Sequence, residues 1–483
     1  MGDTRLVWAI FAPMTAGLVS MLCWLLIWER SIPRKARPWL ELGALAAVCA
    51  GLLTEGLLLI LAGGRGAMLD VGLQLEPVSR AVLLAVNVAL LCAVFISWEE
   101  LLHTGALLVP VPWVAWGASL ASGLLAATLL VDDALVRVLC LFGVGLLVSA
   151  LTLLQPRPEF VEDDGARTVL ALRVAGGLKH LALSAIGSGL LVVGTLIVAR
   201  YAFRLENQAL LQTGIAVLAV GLATRAGLMP FSAAFTDMLR TVPGVSIIAL
   251  GAGLPTAIVL GLLLLSPIEG GSTRASSIAW LGAIGALLAG LRALHQLQNR
   301  QPKMQNHLIA MTVALSLGWA LFGALSGSRA GAVGACLLAI NIALSVPLLV
   351  ASGAVRGSSA RLSAAGTAVG ALSLLGIPPL GGTASTLLLS QAAVNLNAVW
   401  LAVLLLGSLL AAGAWLGWLS RRQLDGEEGD IPVRIQGPRD LLSTPLLLLV
   451  CVLVLAQPVL FFASRRIAEA LSAWATVPWT LGP

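Results

Sequence analysis

Seven ionisable side chains stand inside or beside long apolar stretches of this sequence, and their chemistry could carry a function. They are Glu55, Arg137, Lys179, His180, Arg225, Asp237 and His307. An ionisable group in an apolar environment is costly unless it contacts another polar group or water, and such groups often bind or relay protons. These seven residues are therefore candidates for a proton pathway or for buried structural contacts.

The composition of the 483-residue chain defines the environment of these groups. Hydrophobic residues make up 59% of the chain, charged residues only 11%, and the mean hydropathy is +0.97. Soluble domains carry about 25% charged residues, so a soluble enzyme and a nucleic-acid-binding protein are both excluded. The net charge of +6 is better explained by loop arginines that orient a membrane protein than by an anionic partner. The lipid bilayer is the first predicted partner, and no nucleic acid is expected.

The six cysteines give no sign of a metal or cofactor site. All of them lie in apolar stretches and no CxxC pair occurs, so an iron–sulfur cluster, a zinc site and a disulfide framework are not expected. No glycine-rich phosphate loop follows a strand pattern. We predict no catalytic residue, no metal and no cofactor in this chain.

Apolar stretches of about 20 residues, the length that spans a bilayer, recur along the whole chain and must position the candidate residues. We place fourteen spans, at 8–28, 39–63, 77–98, 107–130, 134–154, 174–199, 209–227, 243–266, 276–294, 307–325, 331–352, 364–391, 396–419 and 441–463. The predicted fold class is an all-α polytopic membrane protein. Only the connections 155–173 and 420–440 are long enough to form small surface features.

The distribution of basic residues predicts the orientation of these spans. Connections after odd-numbered spans hold 18 Arg and Lys residues, and the opposite side holds 9. Because basic loops stay in the cytoplasm, we expect both termini outside, in the inner (cytoplasmic) membrane of a prokaryote. The amphipathic segment 463–474 is expected to lie along the outer interface.

Two spans contain similar interruptions. The seventh runs into Pro230, and the twelfth contains Gly376, Pro378 and Pro379, with Pro230 and Pro378 lying 148 residues apart. Paired Gly/Pro breaks point to inverted repeats with an ion path at the breaks. The simpler interpretation is that Gly and Pro are common in membrane helices. The five-span offset favours two inverted five-helix repeats.

Several motifs in order resemble the antiporter-like subunits of respiratory complex I. The resemblance is carried by KHLALSAIGSGLL at 179–191, GLATRAGLMPF at 221–231, Thr236-Asp237, Val245-Ser246 and LSLLGIPP at 372–379. The sequence is most similar to subunit N of NADH-quinone oxidoreductase. Subunit M and the membrane subunits of hydrogenase and formate hydrogenlyase are close relatives.

This resemblance implies broken seventh and twelfth helices that face a hydrophilic axis, and proton or cation translocation driven by a redox module. Flavin, iron–sulfur clusters and quinone are then expected on partner subunits, which include other antiporter-like subunits and small membrane subunits. It also implies three regions. Residues 1–130 form an N-terminal four-helix segment, 131–420 form the antiporter-like core, and 421–483 hold a cytoplasmic loop, the last span and a short amphipathic tail.

The sequence departs from the family where the family places its titratable groups. Gly145 stands at the glutamate of the fifth helix, Leu254 at the lysine of the eighth and Thr386 at the lysine or glutamate of the twelfth. The seventh helix keeps a cation, Arg225, but arginine hardly ever releases its proton. We interpret the chain as an antiporter-like subunit whose own proton channel is degenerate and which serves as a structural spacer.

The other candidates each have a structural alternative to a proton pathway. Lys179 and His180 could admit protons, but a pair that snorkels to the interface is favoured. For Arg137, an ion pair with Asp132 or Asp133 is favoured over a gate. Glu55 should face protein or water, and a hydrogen bond to backbone or to a serine is slightly favoured over a contact with another subunit.

Two further residues lie near helix ends. His307 begins the tenth span, so an interfacial position is expected. Asp237 follows the first break, where it could pair with Arg225 or Arg240 or cap the next helix.

Other functions remain open at this stage. The chain could be a membrane subunit of a hydrogenase or formate hydrogenlyase, a stand-alone cation/proton antiporter, or a scaffold for other membrane subunits. A stand-alone transporter should keep charged residues at its broken helices, and this sequence has few.

Overall fold

The computed structural model of the chain describes residues 3–28, 37–63, 65–68, 71–104, 111–153, 164–201, 208–241, 243–265, 276–298, 304–354 and 360–424. The elements, in chain order, are α1 (Thr4–Trp28), α2 (Arg37–Leu61), β1 (Arg65–Met68), β2 (Val71–Gln74), α3 (Pro77–Thr104), α4 (Val111–Leu130), α5 (Ala134–Leu153), α6 (Asp164–Tyr201), α7 (Gln208–Ala226), α8 (Ala233–Thr241), α9 (Pro243–Ile247), a π-helical turn (Ile248–Gly253), α10 (Leu254–Leu265), α11 (Trp280–Gln298), α12 (Met304–Leu325), α13 (Arg329–Ala354), α14 (Ala360–Leu374), α15 (Gly382–Leu396) and α16 (Ala398–Leu424). The predicted all-α fold class is confirmed.

Eleven helical segments in the described part of the chain are long and apolar enough to cross a membrane. Their bounds follow the predicted spans closely. The predicted ninth span corresponds to α11, the twelfth is divided into α14 and α15, and the fourteenth, 441–463, lies outside the described residues. The chain is a multi-pass membrane protein.

Burial differs sharply between the inner and the outer helices. The segment from α9 to α10, together with α12 and α13, is almost wholly buried, whereas α1, α2 and α16 each expose a broad apolar face. Since hydrocarbon gives no hydrophobic drive for helices to associate, small residues must provide close packing. Gly282 and Gly318, for example, face each other across the contact between α11 and α12. The inner helices hold the neutral polar residues Thr256, Ser316 and Asn341 described below.

A β-hairpin, which the sequence analysis did not predict, covers one end of the N-terminal helices. Strands β1 and β2 pair antiparallel, with Arg65 opposite Gln74. The backbone N–H of Asp132 donates to the carbonyl of Gly72 (2.9 Å), which ties the hairpin to the start of α5. We call this end of the molecule the hairpin face.

Helix α6 is longer than predicted. It begins at Asp164 and runs for 38 residues, about 57 Å at 1.5 Å per residue. The prediction that 155–173 is a connection is therefore wrong for 164–173. The apolar window that defines a span does not include this first, more polar part of the helix.

Both predicted helix breaks are present and have the same backbone geometry. Helix α7 ends before Gly227 (φ 71°) and α14 ends before Gly376 (φ 73°). In each, the glycine N–H donates to the carbonyl three residues back and the next N–H to the carbonyl five residues back. This is the Schellman motif, which favours glycine because its φ is positive.

The shared motif also corrects the correspondence between the breaks. Gly376 follows Gly227 by 149 residues, so the counterpart of Pro230 is Pro379 and not Pro378. The larger two-repeat arrangement of five helices each stays a prediction.

Candidate functional site

The guanidinium of Arg225 lies between α5, α6 and α7, where the fifth-helix acid of the family was expected. Arg225 occupies the last turn of α7 and is buried. Its Nη2 donates to the carbonyl oxygen of Leu141 on α5 (3.0 Å). Its Nε is buried and has no hydrogen-bond partner among the described residues. Among the described residues, the hydrogen-bond acceptor of the Arg225 guanidinium is therefore the Leu141 carbonyl.

Gly145 makes the room that this guanidinium occupies. A Cβ atom built at Gly145 would lie 3.0 Å from Arg225 Nη2 and 2.7 Å from Ser184 Oγ. Gly187 of α6 likewise packs against the backbone of Arg225, where a Cβ would approach within 2.8 Å. The glycine at position 145, where the resemblance predicts an acid, and the arginine at position 225, where it predicts a lysine, are thus parts of one geometric arrangement. We call Leu141, Gly145, Ser149, His180, Ser184 and Arg225 the α5–α7 cluster.

His180 is part of this cluster and does not snorkel. It is only 2% exposed, its Nδ1 lies 3.0 Å from Ser149 Oγ, and its ring packs edge-on against Phe235. The prediction of an interfacial pair is wrong for His180, because α8 folds back over this part of α6. Ser149 Oγ also lies 2.8 Å from the Gly145 carbonyl; when the hydroxyl donates to that carbonyl, His180 carries its proton on Nδ1 and donates to Ser149.

Lys179 and Asp237 form an ion pair that the sequence analysis did not name. Lys179 Nζ lies 2.7 Å from Asp237 Oδ2. The lysine is half-exposed and the aspartate, on α8, is nearly buried. The pair links α6 to the short helix after the first break. An ion pair with an exposed partner contributes about 1 kcal/mol or less to stability.

The eighth-span segment offers no titratable group. Leu254, at the family's lysine position, begins α10 directly after the π-helical turn, and the whole turn is buried. The hydroxyl of Thr256 donates to the Ala252 carbonyl of this turn (3.0 Å), the contact with the carbonyl four residues back that helical threonines commonly form.

The second break is held by neutral polar groups. Asn341 of α13 donates through Nδ2 to the Ser373 carbonyl (3.0 Å) and accepts from the Ser373 hydroxyl (2.7 Å). Ser316 Oγ of α12 lies 3.0 Å from the Thr312 carbonyl of its own helix and 3.2 Å from the Leu374 carbonyl. Thr386, where the resemblance predicts a charged residue, donates to the Gly382 carbonyl within α15 (2.5 Å). The polar contacts of these residues at the second break are thus made without a charge.

A cavity between the first break and the inner helices is apolar. Its lining comes from α7, α10, α12 and the break itself, and consists of Ala, Leu and Ile side chains; the residues are Leu222, Ala223, Ala226, Leu228, Ala257, Ile258, Leu317, Ala320, Leu321 and Ala324. A cavity holds ordered water only when polar partners line it. This cavity beside the first break is thus poorly suited to a water wire.

The remaining candidates lie away from the α5–α7 cluster. Glu55 forms a hydrogen bond with Ser122, which is the serine contact that the sequence analysis favoured. His307, expected at the interface, is only 8% exposed and lies inside the protein at the start of α12. No group of three metal-binding side chains occurs in the part of the chain that the structure describes.

Arg137 and Glu76 form a charged group at the hairpin face. Arg137 donates through Nε to the Val131 carbonyl, and its Nη2 lies 3.9 Å from Asp132 Oδ1, so the expected local ion pair is present. Glu76, which the sequence analysis missed, has a buried Oε2 without a hydrogen-bond partner among the described residues. Burial, and secondarily Asp132, raise the pKa of Glu76 to about 7, against an opposing effect of Arg137.

Stability should therefore depend on pH through Glu76. The pKa of the folded state, about 7, lies above the ordinary value of 4.5, so the folded protein binds more protons between these values. The contribution of Glu76 to the free energy of unfolding is complete below pH 4.5, falls as the pH rises to about 7, and is then lost. Glu76→Gln should flatten that part of the curve, measured as the thermal midpoint at each pH for variant and parent. A parent–variant difference that does not change between pH 4.5 and 7 would contradict this assignment.

Comparison with solved structures shows which known proteins share this fold. The chain matches a chain of the Mrp complex from Dietzia sp. with a TM-score of 0.74 and 15% identity, covering 98% of this chain and 97% of that chain. It matches a chain of the membrane-bound sulfane sulfur reductase, an archaeal respiratory membrane complex, with a TM-score of 0.72, 17% identity and 97% coverage of both. A chain of respiratory complex I from Thermus thermophilus matches with a TM-score of 0.70, 17% identity, and 98% and 100% coverage.

No family model and no curated protein matches the sequence. At such low identity the structural likeness shows the fold, which this chain shares over nearly its whole length with membrane chains of three kinds of complex. The expected resemblance to complex I is confirmed at the level of the fold. The finer match to subunit N is not confirmed, because chains of the Mrp complex and of the sulfane sulfur reductase match with TM-scores of 0.74 and 0.72, against 0.70 for complex I.

Proposed function

We propose that the chain is an antiporter-like subunit of a multi-subunit membrane complex, in which its own ion path is degenerate and its role is that of a structural spacer. The matched structures are chains of an Mrp complex, a sulfane sulfur reductase complex and complex I. The observation that carries the spacer role is the α5–α7 cluster. A guanidinium that stays protonated donates to Leu141 beside Gly145, where a carboxylate was expected.

Three features support a degenerate path. Arg225 cannot release a proton at physiological pH. The second break is held by Asn341, Ser373 and Thr386, which do not titrate. The cavity beside the first break is lined by apolar side chains, which offer no hydrogen-bond partners to water.

We further propose that the complex is a redox-driven proton translocase of the NADH-quinone oxidoreductase type. Its flavin, iron–sulfur clusters and quinone would lie on partner subunits, and other antiporter-like and small membrane subunits would adjoin this chain. The broad exposed apolar faces of α1, α2 and α16 offer surface for such neighbours or for lipid.

Two alternatives are compatible with the fold. A membrane subunit of a hydrogenase or formate hydrogenlyase would differ only in its partners. A stand-alone cation/proton antiporter would need titratable groups at the broken helices, and the neutral second break argues against it.

Affinity purification of the tagged full-length chain in a mild detergent tests the proposed assembly. We expect other antiporter-like subunits and a small quinone-binding membrane subunit to co-purify, and a strong detergent should release them. Recovery of the chain alone, active in ion exchange after reconstitution, would contradict the proposal and favour the antiporter alternative. Recovery with hydrogenase subunits would favour the hydrogenase or formate hydrogenlyase alternative.

The orientation of the chain is a separate prediction. The bias of basic residues predicts that the hairpin face lies outside and that the opposite ends of the helices lie in the cytoplasm. In a background without the six native cysteines, an impermeant thiol reagent added to intact cells should label Asn397→Cys, an exposed position between α15 and α16. It should not label Ser31→Cys, between α1 and α2. Strong labelling at Ser31→Cys with none at Asn397→Cys would show that the orientation is the opposite of the predicted one.

A further inference from the structure

A buried polar cluster in the N-terminal helices lies apart from the α5–α7 cluster and from both breaks. It consists of Glu55 on α2, Asn87 on α3 and Ser122 on α4. Glu55 is only 1% exposed and Asn87 and Ser122 are also buried. Around them, α2 presents its apolar side chains outward and the acid inward.

The side chains around the Glu55 carboxyl are neutral hydrogen-bonding groups. Ser122 Oγ contacts a carboxyl oxygen of Glu55 and also lies 3.0 Å from the side-chain amide of Asn87, whose Nδ2 has no hydrogen-bond partner among the described residues. A protonated Glu55 can donate to Ser122 Oγ, which in turn donates to Asn87 Oδ1. The arrangement therefore accommodates Glu55 as a neutral acid.

The charges around the cluster point the same way. The described basic residues on the packed neighbours α1 and α3 are Arg5 and Arg80, and α4 has none. Arg5 donates to the Leu61 carbonyl (2.6 Å) and Arg80 to the Ala62 carbonyl (2.9 Å). These carbonyls lie at the far end of α2, about 9 Å or more along the helix from Glu55. An ionised Glu55 would thus lack a described counter-ion, at a cost of several kcal/mol inside the membrane.

We propose that Glu55, Ser122 and Asn87 form a proton-binding site in the N-terminal helices, occupied by one proton at neutral pH. The ligand is the proton itself, held by the Glu55 carboxyl as a neutral acid. The site is separate from the antiporter-like core, and the proposal does not rest on the proposed function. It assigns to α2–α4 the titratable group that the broken helices lack.

Infrared spectroscopy of the full-length chain in lipid nanodiscs tests the site, because a protonated carboxyl has a C=O band that a carboxylate lacks. Glu76 also titrates near neutral pH, so the measurements use a Glu76→Gln background. At neutral pH we expect a protonated-carboxyl band that shifts in deuterated water and is lost in Glu55→Gln. A spectrum unchanged by Glu55→Gln would overturn the proposal.

A matched pair of serine variants makes the test independent of the folding of Glu55→Gln. Ser122→Ala removes the hydroxyl that contacts Glu55 and should shift the band. Ser119→Ala removes a buried hydroxyl on the same helix that has no hydrogen-bond partner in the described structure, and should leave the band unchanged. Equal effects of both variants would overturn the proposal. A band that appears only after sodium is removed would also overturn it, since the ligand would then be a cation.

Discussion

Arg225→Ala should lower the amount of assembled complex several-fold while leaving the protons moved per electron pair unchanged in the complex that does assemble. The substitution removes the donor to Leu141 and empties the space beside Gly145 and Gly187. A cavity in a packed interior of this kind costs about 2 kcal/mol or more, which is enough to change abundance several-fold. Proton yield should not change, because a group that stays protonated does not relay protons.

The measurement compares vesicles that hold equal amounts of assembled parent and variant complex. Arg225→Lys should have a smaller effect on assembly, because it keeps the charge but loses the planar set of donors. Arg329→Ala, at an exposed arginine that begins α13, is the control and should assemble normally. If Arg225→Ala assembled normally but lowered the proton yield by about one channel's share, the subunit would pump and the spacer role would be wrong.

The breaks and the spans were predictable because each depends on local sequence. A glycine followed by proline in an apolar run predicts a helix end with a positive φ, and both breaks occur where Gly227 and Gly376 indicate. Apolar length likewise locates membrane spans. The elements that the sequence analysis missed lie outside the apolar windows. They are the hairpin strands at 65–68 and 71–74 and the first turns of α6.

The partners of the candidate residues were not predictable, because they come from distant parts of the chain. Lys179 meets Asp237 only after α8 folds back on α6, and His180 meets Ser149 only when α5 packs against α6. The sequence identified Gly145 as a missing acid, but only the packing shows that the arginine needs this glycine. Asn87, in the middle of an apolar run, was the one detectable signal for the Glu55 cluster that the sequence analysis passed over.

Gly382→Ala should be among the most destabilising single substitutions in the chain. Gly382 begins α15 directly after the second break, and a Cβ there would collide with the Ser373 carbonyl oxygen and lie 3.0 Å from Asn341 Nδ2. The obstacle is backbone that Asn341 also holds by a hydrogen bond, so it cannot move without loss of that bond. Overpacking against a fixed neighbour costs about 3 kcal/mol.

Gly413→Ala is the matched control for this prediction, because a Cβ at Gly413 of α16 meets no atom within 4 Å. With no clash, the gain in helix propensity should leave Gly413→Ala neutral or more stable by up to about 1 kcal/mol. The thermal midpoint of each purified full-length variant in detergent measures the difference. Asn341→Leu, which removes the amide, should lower the thermal midpoint by less in the Gly382→Ala background than in the parent. The reason is that the two changes disrupt the same contact. Equal midpoints for Gly382→Ala and Gly413→Ala would show that the second break is not the close-packed junction described here.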